Sequence, residues 1–282
     1  MALLRDASEE VRTAAATAIS RIGVPDAEST ESLVEGLTSS DNVVRAHTAE
    51  SLGLIGEAAE TAAPALAEAL ADPNDRIRAK AAEALGRIGE AAAPAAIPAL
   101  VRLLCDEDNW VRALAAEALG EMGPAGEIAA PALLRSLRHA NPHVRGNAAE
   151  SLGKLGTEAA RTHLEAACSD PDAGVRAKAV RAVGRVGALA PTTRSTLLAA
   201  AADPAPEVRS AAADGIAEWA AEWPEVAESI AVLVGTATPM WPPARSWPSI
   251  GSRITPLEPS TRFCSACTMR ATRGSSPSRP RR

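Results

Sequence analysis

Apolar and polar residues alternate along this chain in a pattern that repeats about every 33 residues. A Val-Arg pair, once Ile-Arg, marks each copy, at Val11, Val44, Ile77, Val111, Val144, Val175 and Val208. The intervals between these positions are 33, 33, 34, 33, 31 and 33 residues. A fixed period of this length is typical of repeat proteins in which each copy is one supersecondary unit. The pattern therefore predicts seven stacked structural repeats.

Each Val-Arg pair lies near the start of a predicted helix, which we call helix B. Counted from the Val or Ile as offset 0, apolar residues fall at 0, +4, +8 and +11, on one face of a helix. Offset −3 holds a residue that can cap a helix in six repeats: Ser8, Asp41, Asn74, Asp108, Asn141 and Asp172. Glycine at +12 predicts a helix end in the left-handed conformation. Glycine at +9 predicts close packing against a neighbouring helix, because glycine otherwise weakens a helix.

A shorter helix, helix A, precedes each helix B. It carries a proline near its start, as at Pro64 and Pro131, and in most repeats it ends in an aspartate at offset −5. Each repeat is therefore predicted to be helix A, turn, helix B, turn. The fold class that follows is all-α.

The string Asp-Pro-x-x-x-Val-Arg-x-x-Ala-Ala-x-Ala-Leu-Gly-x-x-Gly, matched best by residues 72–89 and 106–123, resembles HEAT repeats. The resemblance is to the short bacterial and archaeal form named after phycobilisome lyases, and it covers about residues 1–234. It implies an α-solenoid of about seven two-helix repeats wound as a right-handed superhelix, with helices B on the concave side.

The resemblance also implies a ladder of contacts between repeats, made by the Asp and Arg of each turn. The expected pairs are Asp6/Arg12, Asp72/Arg78, Asp106/Arg112, Asp170/Arg176 and Asp203/Arg209. Ser39 and His139 stand at the Asp position of the second and fifth repeats. We expect the ladder to be weaker there.

The charge changes abruptly near residue 234, from −13 over residues 1–234 to +7 over residues 235–282. We expect the solenoid to occupy residues 1–234, with the first repeat half missing and an eighth repeat cut after its helix A at 226–234. The Arg/Ser/Pro-rich residues 235–282 have two interpretations. One is a disordered tail. The other, which we favour, is a repeat read in a shifted frame, because a one-base shift of the codons for Met240-Trp241-Pro242 forces Val-Ala.

The residues that carry enzyme or metal chemistry form no recognisable constellation. No helical face holds two of the four histidines, His47, His139, His143 and His163. Cys264 and Cys267 have no second pair of ligands to complete a zinc site. We therefore expect no catalytic residue, no metal and no cofactor.

Composition excludes two further classes of partner. An array with a charge of −13 and few aromatic residues disfavours nucleic-acid binding, for which the basic residues Lys178, Arg181 and Arg185 are the only local support. The chain has no apolar run of about 18 residues, so we expect no membrane span. Four cysteines without framework spacing favour a reducing compartment and a cytoplasmic location.

Acidic residues recur at offset +6 of helix B, on the face expected to be exposed: Glu50, Glu83, Glu117, Glu150 and Asp214. With helices about 8–10 Å apart, the four glutamates would form a row of about 30 Å. One interpretation is a solvated face with pairs four residues apart, such as Glu83–Arg87. The other is a surface that binds a basic partner. Trp110 is either an exposed anchor for that partner or a side chain packed over the turn between repeats.

The predicted function is a non-enzymatic scaffold for protein–protein interaction that uses the helix B face, with a protein partner whose surface is basic. The family resemblance implies one alternative. That alternative is an accessory protein or subunit of a bilin lyase of the phycobilisome type.

Overall fold

A computed structural model describes residues 27–186 and 190–218, together with Asp6, Ser8, Glu10, Val11, Ala14, Ala15 and Ala18. Within these residues every regular element is a helix and none is a strand. The predictions for the start of the first repeat, for an eighth helix A at 226–234 and for residues 235–282 lie outside the described residues.

The helices of the described residues alternate between a helix A and a helix B. The helices A are α1 (Ala27–Gly36), α3 (Ala63–Ala69), α5 (Ala93–Leu103), α7 (Ala130–Ser136), α9 (Arg161–Ala167) and α11 (Pro191–Ala200). The helices B are α2 (Asn42–Ile55), α4 (Asp75–Ile88), α6 (Asn109–Gly120), α8 (Pro142–Lys154), α10 (Ala173–Val186) and α12 (Pro206–Glu218). Each helix B packs on the helix B of the next repeat, and each helix A packs on the helix B that follows it. The predicted all-α solenoid of helix pairs is confirmed.

Each described helix B begins directly after the residue at offset −3, as the sequence predicts. The side chain of Asp41 accepts the backbone N–H of Val43, and Asn74 accepts that of Arg76. Asp108 accepts two N–H groups, those of Trp110 and Val111. These bonds satisfy donors in the first turn that have no partner within the helix.

One column of apolar side chains forms the centre of the core. The residues at offset +8 are fully buried in every described repeat: Leu52, Leu85, Leu119, Leu152, Val183 and Ile216. The Val or Ile at offset 0 is also buried in each repeat from Val44 to Val208. Burying one such side chain stabilises the fold by about 1.5–3 kcal/mol. The core is therefore a continuous stripe along the stack of helices B.

The described glycines at offset +12, Gly56, Gly89, Gly123 and Gly156, have a positive φ, but Gly56 and Gly89 do not adopt the expected left-handed helical conformation. Gly56 has φ 68° and ψ −140°, and Gly89 has φ 73° and ψ −141°. These angles lie in a region that essentially only glycine occupies. The chain continues into a short 3₁₀ segment after α2, α4, α6 and α8. The 3₁₀ segments are Gly56–Ala62, Gly89–Ala92, Gly123–Ala129 and Glu158–Ala160.

The glycines at offset +9 lie where neighbouring helices B touch. A Cβ on Gly53 would lie 2.8 Å from the Cα of Ala84, and one on Gly153 would lie 2.6 Å from the Cα of Ala182. In both cases the neighbour is the residue at offset +7 of the next repeat. Backbone cannot move aside as a flexible side chain can, so glycine is required at these contacts. The predicted close packing is confirmed.

Two glycines of α8 provide a matched test of this constraint. We expect Gly153→Ala to destabilise the chain by about 1–3 kcal/mol, because the added methyl overpacks a backbone contact. We expect Gly146→Ala to be neutral or to stabilise by up to about 1 kcal/mol, since alanine favours the helix and its Cβ would lie 3.2 Å from the flexible Lys178 side chain and at an ordinary 3.8 Å from Val175. Urea denaturation followed by circular dichroism measures both. Equal effects of the two substitutions would contradict the packing constraint.

Candidate functional site

The arginine at offset +1 of a helix B connects one repeat to the next. Its Nε and one Nη donate to the two carboxylate oxygens of an aspartate in the following repeat, and the Nε–Oδ2 distances are 2.7–2.8 Å. These pairs are Arg45–Asp72, Arg78–Asp106, Arg145–Asp170 and Arg176–Asp203. Paired hydrogen bonds of this kind combine charge with a fixed geometry. They form a ladder along the turns.

This geometry corrects the pairing expected within each repeat. Arg78 donates to the backbone carbonyl of Asp72 at 3.0 Å, whereas the carboxylate of Asp72 belongs to Arg45 of the preceding repeat. The same holds in two further repeats, where the arginine meets the backbone carbonyl of its expected aspartate: Arg112 with Asp106, and Arg176 with Asp170. The expected pairs are therefore real contacts, but they are not the ion pairs of the ladder.

Arg209, the last arginine of the expected ladder, needs the same correction. Its Nη1 donates to the backbone carbonyls of Asp203 and Pro204, at 2.8 Å and 2.9 Å. The carboxylate of Asp203 is taken by Arg176 of the preceding repeat. The expected pair Asp203/Arg209 is therefore a contact within one turn, made by the exposed Arg209 to backbone, and not a contact between repeats. The described ladder ends with the pair Arg176–Asp203.

The remaining members of the ladder fall into two groups. Arg12, the expected partner of Asp6, lies outside the described residues. Arg45 and Arg145 belong to the ladder, but the sequence analysis omitted them because their repeats lack an aspartate at offset −5. We expected a weaker ladder at the second repeat. Its arginine, Arg45, is nevertheless paired, because it binds the carboxylate of Asp72 in the third repeat.

Each ladder aspartate also fixes the start of the next helix. Its Oδ1 accepts the backbone N–H of the residue at offset −3, as Asp72 does from Asn74 at 2.8 Å and Asp203 does from Ala205 at 2.8 Å. The hydrogen bond from Arg176 holds the pKa of Asp203 below its ordinary value. A single carboxylate therefore accepts hydrogen bonds from an arginine of the preceding repeat and from the backbone N–H at the capping position of its own repeat.

The ladder is interrupted between the fourth and fifth repeats. Arg112 donates to the carbonyl of Asp106, but its buried Nε has no hydrogen-bond partner among the described residues. His139, at the aspartate position, keeps the local role, because its Nδ1 accepts the N–H of Asn141 at 3.0 Å. Burial and the charges of Arg112 and Arg145 lower the pKa of His139. The imidazole gives Arg112 no counter-charge.

The acidic residues of offset +6 lie on the outer face of the helices B and none is buried. Glu117 and Asp214 are exposed, and Glu50, Glu83 and Glu150 are half-buried. Both pairs expected four residues apart are present, with Glu83–Arg87 at 2.6 Å and Glu150–Lys154 at 3.3 Å. The assignment of offset +6 to the outer face therefore holds.

Two lysines at offset +3 contact glutamates of this row. Lys80 Nζ lies 2.8 Å from Glu50 Oε1 and 3.2 Å from Glu83 Oε2, so one lysine joins two repeats. Lys178 contacts Glu150 of the preceding repeat in the same way, at 2.9 Å. The hydrogen bond from Lys80 holds the pKa of Glu50 below its ordinary value. Burial raises the pKa of Glu150, but Lys178 and Lys154 outweigh that effect and lower it.

Lysine stands at offset +3 only in the third and sixth repeats, whereas the fourth repeat has Leu114 there and the fifth has Asn147. No lysine therefore extends from that position between Glu83 and Glu117. Asn147 of the next repeat donates its Nδ2 to Glu117 at 3.1 Å, which is a neutral contact. Among the four glutamates of the row, Glu117 is the one for which the described residues supply no cation.

A groove of about 560 Å³ lies between α4 and α6 at this position. Glu83 and Arg87 line it from α4, and Trp110, Leu114 and Glu117 line it from α6. Trp110 is 59% exposed, which agrees with the interpretation as an exposed side chain rather than one packed over the turn. Glu121 also lines the groove and pairs with Lys154 at 2.6 Å. The groove thus combines an apolar wall with three carboxylates.

The described residues contain neither of two other kinds of site, a metal centre or a membrane-spanning helix. Among the described residues no three His, Cys, Asp or Glu side chains are grouped as metal ligands would be. Within these ranges, no helix combines the length and apolarity needed to cross a membrane.

Burial raises the pKa of the Cys168 thiol to about 12, so the thiol stays protonated near neutral pH.

Family comparison agrees with the repeat geometry. A model of HEAT repeats matches residues 1–86, 30–104, 63–137 and 126–184. The chain belongs to the HEAT-repeat family. No curated protein is significantly similar to the chain.

Solved structures show the same fold at low sequence identity. An engineered protein superposes with a TM-score of 0.54 at 21% identity, covering 68% of this chain and 97% of that one. The complex of CpcE and CpcF of phycocyanin lyase from Nostoc sp. PCC7120 gives 0.51 at 20%, covering 77% of this chain and 92% of that chain. The Escherichia coli protein YibA gives 0.51 at 22%, covering 75% of each chain. At these identities the likeness concerns the fold alone.

The interrupted ladder yields a stability prediction. We expect His139→Asp to stabilise the chain by about 1–2 kcal/mol, because the new carboxylate can accept from Arg112 as Asp106 accepts from Arg78. The midpoint of urea denaturation measures the gain. In an Arg112→Met background the gain should disappear. An equal gain with and without Arg112 would show that the two side chains do not interact.

The same pair of proteins has an expected pH dependence. Because the pKa of His139 is lowered in the folded chain, the unfolded chain binds that proton more readily. The stability of the original chain then falls as the pH drops below about 6.5. His139→Asp removes this contribution, so its stability advantage should widen between pH 7.5 and 5.5. A constant advantage over that range would contradict the assignment.

Proposed function

We propose that this HEAT-repeat chain is a non-enzymatic scaffold that binds a protein partner through the face formed by its helices B. That face is the concave side in the proteins it resembles. The observation that carries the proposal is the exposed Trp110 beside Leu114 in the groove between α4 and α6. The family and the fold support the general role, and the groove supports the choice of face.

The side chains of the groove are those that protein interfaces favour. Tryptophan dominates the energetics of many interfaces when it enters a partner's pocket. Trp110 is fixed to the first turn of α6, where its own backbone N–H is held by Asp108 at 2.8 Å. The backbone that carries the indole is therefore ordered before binding, which lowers the entropy cost of association. The surrounding charged groups would form the polar rim of such an interface.

The remaining face of the helices B supports a scaffold through its uniform build. The row from Glu50 to Glu150 repeats one side-chain position along four consecutive helices, and Lys80 and Lys178 join neighbouring helices across it. Such a face offers a charged surface of fixed spacing. A partner could extend along it beyond the groove.

A second candidate is an accessory protein or subunit of a bilin lyase. The likeness to the CpcE and CpcF complex favours it, since the fold is shared over most of both chains. A lyase component of this kind should bind a linear tetrapyrrole, whereas a scaffold should not. Addition of biliverdin to the chain distinguishes the two, because binding shifts the tetrapyrrole's visible absorption. We expect no shift.

The scaffold proposal predicts an effect of Trp110→Ala on partner capture. The full chain, immobilised, is exposed to an extract of its source cells, and retained proteins are quantified by mass spectrometry. We expect Trp110→Ala to reduce the retained partner about tenfold or more, as loss of an interface anchor typically does. Helicity should be unchanged because the side chain is exposed.

Ile128→Ala is the matched control. Ile128 is 77% exposed and lies in the 3₁₀ segment Gly123–Ala129, outside the groove. It should retain the same proteins as the original chain. If Trp110→Ala and Ile128→Ala retain the same proteins in equal amounts, the helix B face is not the binding surface at this repeat.

A further inference from the structure

The row of glutamates binds cations of the chain itself at two junctions between helices B. Lys80 extends from offset +3 of α4 and places its Nζ within 3.2 Å of carboxylates on α2 and α4. Lys178 extends from the same offset of α10 to Glu150 of α8 at 2.9 Å. In both cases an ammonium lies between two neighbouring helices B. The spacing of the repeats therefore creates a seat for a cation at these junctions.

At the junction between α4 and α6, no lysine of the chain extends into the corresponding cation position. Leu114 occupies the offset from which Lys80 and Lys178 extend, and its apolar side chain lines the groove instead. The carboxylates remain on both sides, Glu83 from α4 and Glu117 from α6. Arg87 lies at one wall and pairs with Glu83 at 2.6 Å. Among the described residues, the side-chain contact of Glu117 is a hydrogen bond from the amide of Asn147.

Trp110 contributes an apolar surface on which the stem of a long basic side chain can pack. The stem of lysine or arginine is apolar and packs on apolar surface while its charged end stays at a polar site. Trp110 and Leu114 form such a surface next to Glu117. Arginine and lysine also interact favourably with the face of an indole ring. Wall and carboxylates are thus arranged for one elongated cation.

Resting on the proposed scaffold function, we propose that the groove between α4 and α6 binds a lysine or arginine side chain of the protein partner. The stem packs along Trp110 and Leu114, and the charge pairs with Glu117 and Glu83. An apolar side chain in the same place would desolvate carboxylates without pairing them, which is unfavourable. An acidic side chain would meet like charge. The chemistry of the groove therefore selects a basic residue.

A peptide titration of the full chain tests this assignment. The probe is an acetylated and amidated Gly-Ser-Arg-Ser-Gly peptide, compared with versions that carry lysine, glutamate or citrulline in place of arginine. Citrulline keeps the shape of arginine and lacks its charge. The chain carries five tryptophans. Labelling them with 5-fluorotryptophan and assigning Trp110 by Trp110→Phe gives a fluorine NMR signal specific to the groove.

We expect the arginine and lysine peptides to shift the Trp110 signal saturably, with dissociation constants on the order of millimolar for so small a ligand. The citrulline and glutamate peptides should leave it unchanged. Raising the salt concentration should weaken the shift, because the pairing is close to solvent. Equal shifts by the arginine and citrulline peptides would overturn the proposal.

Two pairs of variants locate the effect. Glu117→Gln should weaken arginine-peptide binding about three- to fivefold, whereas Glu57→Gln, an exposed glutamate of the segment Gly56–Ala62, should not. Leu114→Lys should abolish binding by filling the seat from within the chain. His47→Lys places the same residue at offset +3 of another repeat and should leave binding intact. Binding that survives Leu114→Lys would overturn the proposal.

The results separate this inference from the proposed function. If no peptide binds and partner capture still depends on Trp110, the basic-residue inference is wrong and the scaffold proposal stands. If capture does not depend on Trp110 and no peptide binds, both are wrong.

Discussion

The close approach of neighbouring helices B is the constraint on which the rest of this structure depends. It is set where a glycine at offset +9 meets the residue at offset +7 of the next repeat, with no room for a Cβ at Gly53, Gly120 or Gly153. Because this contact is backbone against small residue, it fixes the spacing and register of the helices. Side chains on the outer face inherit that register. Lys80 reaches Glu50 of the preceding repeat only because the two helices lie at this separation.

The turns maintain the same register at the other end of each helix. Each arginine of the ladder contacts the backbone carbonyl of its own turn and the carboxylate of the next turn. Through that carboxylate it is also linked to the capping position of the next helix B. Its members are largely buried, with 6% of the Arg78 side chain and 8% of the Asp106 side chain exposed. Buried ion pairs are favourable only when their geometry offsets the loss of hydration. The two parallel hydrogen bonds, 2.8 Å each, supply that geometry here.

The sequence was sufficient to predict the features that depend on a local pattern: the helix starts, the buried columns and the tight packing at the offset +9 glycines. The exchange of carboxylates between repeats could not be read in this way. Asp72 lies 27 residues from Arg45 and only 6 from Arg78, and local spacing favours the nearer arginine. The groove was missed for a similar reason. Which glutamate is left without a cation depends on offset +3 of neighbouring helices, so offset +6 alone could not single out Glu117 beside Leu114.

Leu114 and Arg112, whose buried Nε has no hydrogen-bond partner among the described residues, both lie on α6. A stack of repeats tolerates such a weak junction, since each repeat contacts only its neighbours. The α6–α8 contact also has hydrogen bonds of its own. Ser151 donates to the carbonyl of Ala116 at 2.7 Å, and Asn147 donates to that of Ala113 at 3.0 Å. These bonds tie α8 to the backbone of α6. The exposed Trp110 and Glu117, the glutamate of the row without a cation among the described residues, meet in the groove on α6, and this coincidence is our reason for proposing binding at the fourth repeat.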